Sequence, residues 1–339
     1  MTLGDADQAA QRQQSRVPGA AVQPCPLVRV RIRVRIIGED AEGLDGIAAV
    51  LSSPDGHELR SRTGPDGVCL FDGLDPGIYQ LGLPLLDQDA WQVLSLAQLA
   101  PQEARSDILA DWKPAMPADL GAPVQHKIVD GECGSMLAYR HGLLPTTVWE
   151  HEANTALRDS RESLYILAAG DLLTVPARRP RMAEVAAGSD VTLRRLGVPE
   201  RLRIRFLSFD DSPRAGLSYL LTVESESGAV VPVRSGLTDE DGFVDAGIPP
   251  DAVTAEIVLG YGNQRETHRF ALGKAAPITT VQGWQTRLAN LGYYTGDHSG
   301  VLNPGTKLAI AQFQRDRALP PSGEMDGPTA ASLAAFSLS

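Results

Sequence analysis

The chain has 339 residues, a formal net charge of −11 and a pI near 5.0, with 43% apolar, 22% charged and 5% aromatic residues. This acidic balance argues against a nucleic-acid partner, because neutralising phosphates requires clustered Lys and Arg. The length favours about two to four modules over a single core. The 33 glycines and 24 prolines indicate a turn-rich body. The sequence lacks an apolar run of about 18 residues, so no membrane span is predicted.

The first 26 residues are polar and lack the apolar stretch of a secretory signal peptide. They predict a disordered arm, and the protein is expected to be made in the cytoplasm without a Sec signal. Any action outside the cytoplasm then needs a separate export route.

Three cysteines are present, Cys25, Cys69 and Cys133. They are too few and too scattered for a disulfide framework or a zinc site, and no metal or cofactor is expected. Two interpretations stay open: three buried thiols, or a Cys25–Cys69 bridge.

Apolar residues and arginines alternate strictly over residues 28–37. A period of two with one apolar face predicts a half-buried strand, and the alternation favours a solvated arginine face over an anion site. Turn signals recur roughly every 8–12 residues as far as Tyr79, so residues 27–86 are predicted to form a small β-sandwich.

The same plan recurs later in the chain, where Arg201–Phe206 repeats the alternating strand and Thr238–Phe243 parallels Thr63–Val68. We predict a second sandwich over residues 200–274. With Leu74–Tyr79, these segments resemble transthyretin- or carboxypeptidase-regulatory-like modules of the immunoglobulin type. The resemblance implies spacers without a site of their own.

Two connecting segments complete this part of the chain. Residues 87–122 carry Trp91, Leu94, Leu96 and Leu99 at spacings that favour a helical connector. Residues 178–199 are polar, with Arg and Gly, and are predicted to be a linker.

Residues 123–177 predict a separate middle module. A strand near Ile128 is followed by a helix around Ser135–Arg140 that ends at Gly142, a second helix after Asn154, and a strand that stops at Pro176. This order resembles LysM, a βααβ fold that binds glycans containing N-acetylglucosamine.

The resemblance implies a shallow groove between two loops. Carried over by position, its ligand-binding residues are Asp130, Gly131, Glu132, Cys133, Leu167, Ala168 and Gly170. Gly134 stands where the family usually has Leu, which predicts a missing core side chain beside the groove. His151, between two glutamates, lacks the spacing of metal ligands and predicts a solvated helix face.

Residues 278–339 predict a three-helix module. Val281, Trp284, Leu288 and Leu291 describe an amphipathic helix that Gly292 ends. The pattern Gly-x-x-(Asn/Asp)-x-x-Thr then occurs twice, each time with Pro after the Asn or Asp. Asn303 and Asp326 are expected to cap the helices they open.

These turns and the helix motifs around them resemble the peptidoglycan-binding domain of many wall hydrolases. The resemblance implies a ligand site on the loop after the first helix, although Ser299, Leu302 and Asn303 depart from its usual residues. The candidate ligand-binding residues are Tyr293, Tyr294, Asp297, His298 and Thr306. A structural alternative for Tyr293 is that it closes the core.

Together these features predict a multidomain α+β chain with two small immunoglobulin-like β-sandwiches, one LysM-like βααβ module and one C-terminal three-helix module. The expected function is non-catalytic binding of peptidoglycan, since no segment left over is long enough for a catalytic domain and no nucleophile-elbow or zinc-hydrolase pattern is present. The alternative is a scaffold, adaptor or cargo protein of a type VI or other contractile secretion system, with spike or effector proteins as partners. The protein is expected to act at the cell wall or periplasm, or to be exported by such a contractile machine.

Overall fold

The computed structural model describes residues 28–337 except for residues 118, 130–131, 162, 209, 211, 227, 229 and 273–275. The predicted arm at residues 1–26 and Cys25 lie outside the described residues, so the arm and the Cys25–Cys69 pair stay predictions. The described chain is mixed α+β, with β-sandwich sheets over most of its length and helices at its C-terminal end.

The first β-sandwich packs a four-stranded sheet of order β4-β1-β11-β6 on a five-stranded sheet of order β10-β5-β2-β3-β7. Its strands are β1 (Val30–Ile37), β2 (Ala48–Ser52), β3 (His57–Arg62), β4 (Val68–Leu74), β5 (Ile78–Gly82), β6 (Trp91–Gln98), β7 (Lys113–Pro114), β10 (Met182–Ala186) and β11 (Ser189–Arg195). Side chains from both sheets form one continuous apolar core.

The alternation in β1 sorts its side chains as the sequence predicts. Ile32, Val34 and Ile36 are buried, while Arg31 and Arg33 form ion pairs with neighbouring strands. Nε of Arg31 lies 2.7 Å from Asp72 on β4, and Arg33 binds Asp190 on β11 through Nε at 3.1 Å and Nη2 at 2.6 Å. Two of the three arginines on this face are therefore paired across the sheet, which adds pairing specificity to the strand.

The predicted helical connector at residues 87–122 is wrong. Trp91–Gln98 is strand β6, and only Pro101–Ala104 (α1) is helical among the described residues of that stretch. Leu94 and Leu96 are 40% and 55% exposed, so the apolar spacing marks no buried helical face. The strand forms because β11, which comes much later in the sequence, pairs with it along its whole length.

The predicted linker at residues 178–199 is also wrong, since it contains β10 and β11. β11 lies between β1 and β6, runs parallel to β1, and buries Val191 and Leu193 completely. The chain therefore leaves the first sandwich after β7 and returns to it at β10, and the middle module is an insertion into this sandwich.

The second β-sandwich has a two-stranded sheet, β12-β15, and a four-stranded sheet, β14-β13-β16-β17. Its strands are β12 (Glu200–Arg205), β13 (Ser218–Ser225), β14 (Val230–Leu237), β15 (Phe243–Ile248), β16 (Ala252–Leu259) and β17 (Glu266–Ala271). The first strand pairs with the fourth, and the second pairs with the third and the fifth, as in the first sandwich.

The two sandwiches also share the turn before their fourth strand. In each, the hydroxyl of a buried threonine, Thr63 or Thr238, accepts a backbone N–H at 2.9 Å from the residue before the second strand. A glycine follows, Gly67 or Gly242, with a φ of 74° or 81°. A Cβ at either position would lie 2.5 Å from a carbonyl oxygen at the end of the module's first strand. The repeat in the sequence therefore reflects one turn built twice.

The middle module is a two-stranded antiparallel sheet with short helices between its strands. Its elements are β8 (Val124–Lys127), α2 (Gly134–Arg140), α3 (Pro145–Trp149), a 3₁₀ turn (Glu152–Asn154), α4 (Thr155–Ser160) and β9 (Leu172–Val175). Asn154 is buried and its amide bonds the N–H and the carbonyl of Thr174, each at 2.8 Å, and the carbonyl of Val148 at 2.7 Å. This side chain ties the helices to β9.

The C-terminal module has three helices, α5 (Val281–Asn290), α6 (Pro304–Asp316) and α7 (Gly327–Ser337). Gly292 follows α5 with a φ of 82°, as a residue that ends a helix does. Oδ1 of Asn303 accepts from the N–H of Thr306 at 2.8 Å, and Oδ1 of Asp326 accepts from the N–H of Thr329 at 2.8 Å. The two predicted caps are confirmed.

Candidate binding sites

Two buried glutamines organise the loops of the C-terminal module. Nε2 of Gln285, on α5, donates at 2.9 Å to the carbonyl of Val301 and to the hydroxyl of Thr306, while its Oε1 accepts from the N–H of Gly300 at 2.9 Å. Its side chain has no exposed surface. One amide thus fixes the loop after α5 to the first turn of α6.

Gln314, on α6, repeats this arrangement at the second turn. Its Nε2 donates to the carbonyl of Glu324 at 2.9 Å and to the hydroxyl of Thr329 at 3.0 Å, and its Oε1 accepts from the N–H of Gly323 at 2.9 Å. Sequence reasoning identified the repeated Gly and Thr but missed both glutamines. The available signal was a polar residue on the apolar side of each amphipathic helix.

A cleft of about 420 Å³ opens beside the loop after α5. Tyr293, Tyr294 and Asp297, three of the five candidates in this module, line it. Leu308 and Gln312, which the sequence reasoning missed, line its α6 side, and Leu308 is 63% exposed. They are spaced one helical turn apart on the face of α6 that points away from the core.

The candidates differ in what they can offer to a ligand. Tyr294 is buried, and its hydroxyl donates to the carbonyl of Asp297 at 3.1 Å and accepts from Nδ2 of Asn303 at 3.0 Å. Tyr293 is half-buried and packs edge-on against Phe313 with ring centroids 5.5 Å apart, so part of its ring closes the core. The side chain of Asp297 is exposed.

The other two candidates do not line the cleft. Thr306 is completely buried, and its hydroxyl is engaged by Gln285 and Asn303. His298 is exposed, and its Nδ1 lies 3.4 Å from the hydroxyl of Thr286. Thr306 shapes the loop from inside the module, and a role of His298 in binding stays a prediction.

The structure brings together the two loops of the groove predicted in the middle module. The N–H of Gly134 donates to the carbonyl of Leu164 at 2.9 Å, and the N–H of Gly170 donates to that of Ile128 at 2.8 Å. The expected gap at Gly134 is wrong: a Cβ there would overlap Cδ1 of Leu164, which is buried in the core of the module. A leucine from the opposite loop thus fills this space.

Six of the seven predicted groove residues fall into three groups. Cys133 and Leu167 are buried, and Leu167 belongs to the apolar core. Ala168 and Gly170 retain exposed surface. Asp130 and Gly131 lie outside the described residues, so their contacts with a ligand stay predictions.

Glu132 is held by its own module. Oε2 of Glu132 lies 2.6 Å from Nε2 of His126 and accepts from the N–H of Val129 at 3.0 Å. Burial raises the pKa of this carboxyl, but the two hydrogen bonds outweigh it and leave the pKa lowered. Oε2 of Glu132 is therefore engaged by its own module and is not free for a ligand.

Within the described part of the chain, no group of three or more His, Cys, Asp or Glu side chains is placed to hold a metal ion. None of its helices is both long and apolar enough to cross a membrane.

Residues 279–333 match a family model described as "Putative peptidoglycan binding domain". This range contains α5, α6, most of α7 and the cleft between α6 and the loop that follows α5. The C-terminal module is therefore of the peptidoglycan-binding class.

Among curated proteins, the chain is similar to the localization factor PodJL of two Caulobacter vibrioides strains, NA1000/CB15N and CB 15. The identity is 36% over 81 residues, which are 23% of this chain and 8% of that protein. The chain thus spans only a small part of the relatives it matches.

Similar solved structures include the Bacillus anthracis TIE protein, with 15% identity, 74% of this chain and 32% of that chain covered, and a TM-score of 0.23. The shaft pilin SpaA of Lactobacillus rhamnosus GG has 9% identity, with 73% and 95% covered and a TM-score of 0.23. BcpA, the major pilin subunit of Bacillus cereus, has 11% identity, with 74% and 97% covered and a TM-score of 0.17. Likenesses this distant carry no conclusion about function.

Proposed function

We propose that this chain is a non-catalytic peptidoglycan-binding protein that acts at the cell wall and makes its main contact through the C-terminal module. One observation carries the proposal: the segment that matches the peptidoglycan-binding family, residues 279–333, holds an open cleft of about 420 Å³ between α6 and the loop before it. Concave sites with apolar walls and a few polar groups are the usual form of a ligand site.

The cleft suits a sugar or a stem peptide. The exposed part of the Tyr293 ring and the side chain of Leu308 offer apolar surface to a sugar face. The carboxylate of Asp297 accepts, and the amide of Gln312 both donates and accepts, hydrogen bonds from hydroxyl or amide groups. The buried Gln285 holds the loop in place before a ligand arrives, which lowers the entropic cost of binding.

The middle module is proposed as a second, LysM-like contact with the wall glycan. Two weak sites on one chain raise the overall affinity by roughly a hundredfold or more when the linking module spans them. The second sandwich, which lies between these modules in the sequence, is proposed as that spacer.

Co-sedimentation with purified sacculi tests the proposed function. The full chain is expected to pellet with sacculi above an albumin control and to release no labelled muropeptides. Asp297→Asn and Gln312→Ala should each lower the pelleted fraction, while Asp316→Asn, an exposed aspartate outside the cleft, should leave it unchanged. Absence of sedimentation, or equal loss with Asp316→Asn, contradicts the C-terminal site, and release of muropeptides contradicts the non-catalytic assignment.

A second candidate function is a scaffold, adaptor or cargo role, as in a type VI or related contractile machine. The observation that favours a scaffold is the similarity to a protein named as a localization factor. Co-purification of spike proteins with the chain from its native host would support the contractile-machine form. A wall location in a host that lacks such a machine would contradict it.

A further inference from the structure

A larger cleft, of about 670 Å³, lies where the middle module meets the first sandwich. The middle module contributes Thr146, Thr147, Glu150 and His151 to one wall, and the sandwich side contributes Asp89 and Arg179 to the other. The cleft is separate from the groove predicted between residues 130–134 and 167–170. Boundaries between domains are preferred places for ligand sites.

The two walls are fixed relative to each other by buried polar contacts. The carboxylate of Asp87 has no exposed surface and accepts from the N–H of Arg179 at 2.7 Å, from its Nε at 3.1 Å and from its Nη2 at 2.7 Å. The N–H of Asp87 donates to the carbonyl of Gly142 in the middle module at 2.8 Å. A Cβ at Gly142 would overlap the carbonyl oxygen of Leu85, so the backbones meet here without room for a side chain. The cleft is therefore formed before any ligand binds.

The wall from the middle module presents polar groups that have no partner in the described chain. α3 buries Val148 in the module core and turns Thr146, Thr147 and Glu150 toward the cleft. No hydrogen bond joins either threonine hydroxyl or the Glu150 carboxylate to another described residue. Nδ1 of His151 accepts the N–H of Ala153 at 3.3 Å, which leaves Nε2 for a ligand.

The chemistry of the lining indicates the class of ligand. Hydroxyl groups of a sugar both donate and accept hydrogen bonds, and this cleft offers threonine hydroxyls, a carboxylate acceptor and a guanidinium donor on facing walls. Leu144 and Pro176, which also line it, offer apolar surface to the C–H faces of a sugar ring. Two carboxylates, Asp89 and Glu150, line the cleft with one guanidinium, and that guanidinium of Arg179 is already paired with Asp89 and with the buried Asp87, which disfavours an anionic ligand.

We propose that this cleft binds a short stretch of uncharged polysaccharide. The inference rests on the proposed function, because that function makes the wall glycan the available polysaccharide. It moves the glycan contact of the middle module from its predicted groove to its junction with the first sandwich.

The test is a titration of the full chain with the tetramer of N-acetylglucosamine, followed by amide NMR. Shifts are expected at residues 144–151 and 176–179. Thr147→Val and Glu150→Gln should each weaken binding about fivefold, the scale of one net hydrogen bond. Glu152→Gln, a neighbouring exposed glutamate that does not line the cleft, should leave binding unchanged.

The outcomes separate this inference from the proposed function. Shifts confined to the C-terminal module, or no binding of the tetramer at millimolar concentration, overturn the cleft as a sugar site. Binding of a free stem peptide with shifts at residues 144–151, without binding of the tetramer, overturns it as well. If Asp297→Asn loses sacculus binding and Glu150→Gln keeps it, the result concerns only the C-terminal module. Binding of the tetramer at the junction is expected to survive Asp297→Asn.

Discussion

The buried amide of Gln285 is predicted to set the stability of the C-terminal module. Gln285→Ala removes three hydrogen bonds of 2.9 Å, to Gly300, Val301 and Thr306, and leaves the N–H of Gly300 and the carbonyl of Val301 without this partner. Each bond contributes a net of about 1 kcal/mol, so the expected loss is about 3 kcal/mol before any cost of the cavity.

Amide hydrogen exchange on the full chain measures this loss within the module. A loss of about 3 kcal/mol should speed exchange through local opening by roughly a hundredfold at the protected amides of α5 and α6. Gln314→Ala, the equivalent change at the second turn, should act similarly. Gln312→Ala, on the exposed face of α6, is the matched control and should change the local free energy by less than about 0.5 kcal/mol. A loss below about 1 kcal/mol in Gln285→Ala would show that the amide does not hold the two loops.

Three further predictions concern the other modules. Gly67→Ala should destabilise the first sandwich by roughly 1 kcal/mol more than Gly56→Ala, as measured by denaturant unfolding. Both glycines have a positive φ, but only a Cβ at Gly67 would meet a carbonyl oxygen. Equal losses of stability in the two variants would refute the steric argument. Gly134→Leu should lower the free energy of unfolding by about 1–3 kcal/mol, because the new side chain overpacks against Leu164. The additional change Leu164→Gly should restore part of this stability. If the double variant is no more stable than Gly134→Leu, the strain does not arise from contact with Leu164. Burial raises the pKa of Glu200, so the contribution of this carboxyl to stability is present below its unfolded pKa and is lost as pH rises through its folded pKa. Glu200→Gln should therefore raise the Tm more at pH 7 than at pH 4. A change in Tm that is the same at both pH values would contradict this.

Those parts of the fold that depend on residues close together in the chain could be predicted from the sequence. The alternation of β1 depends on residues next to one another, and so do the caps formed by Asn303 and Asp326. The threonine and glycine of the shared sandwich turn lie only a few residues apart, which is why the repeat was visible. The peptidoglycan-binding module was identified for the same reason, since its turns and helices are continuous in the chain.

Long-range pairing hid other parts of the fold from the sequence. Two segments become strands because they pair with each other, Trp91–Gln98 and Ser189–Arg195. The sequence of neither segment alone identifies its pairing partner. Their misassignment as a connector and a linker concealed the insertion of the middle module. The junction cleft depends on that insertion and therefore could not be predicted from the sequence.

The sequence by itself determined the alternation of β1, the repeated sandwich turn and the family of the last module, because each depends on residues that are close together in the chain. Only the tertiary structure decided which candidate side chains remain available to a ligand. Thr306 and Leu167 looked suited to binding by position, but packing from distant segments buries both. Neither Leu308 nor Thr147 was predicted to bind a ligand from the sequence. Each lines a cleft because neighbouring residues of its helix pack into a core and leave its own side chain on the outer face.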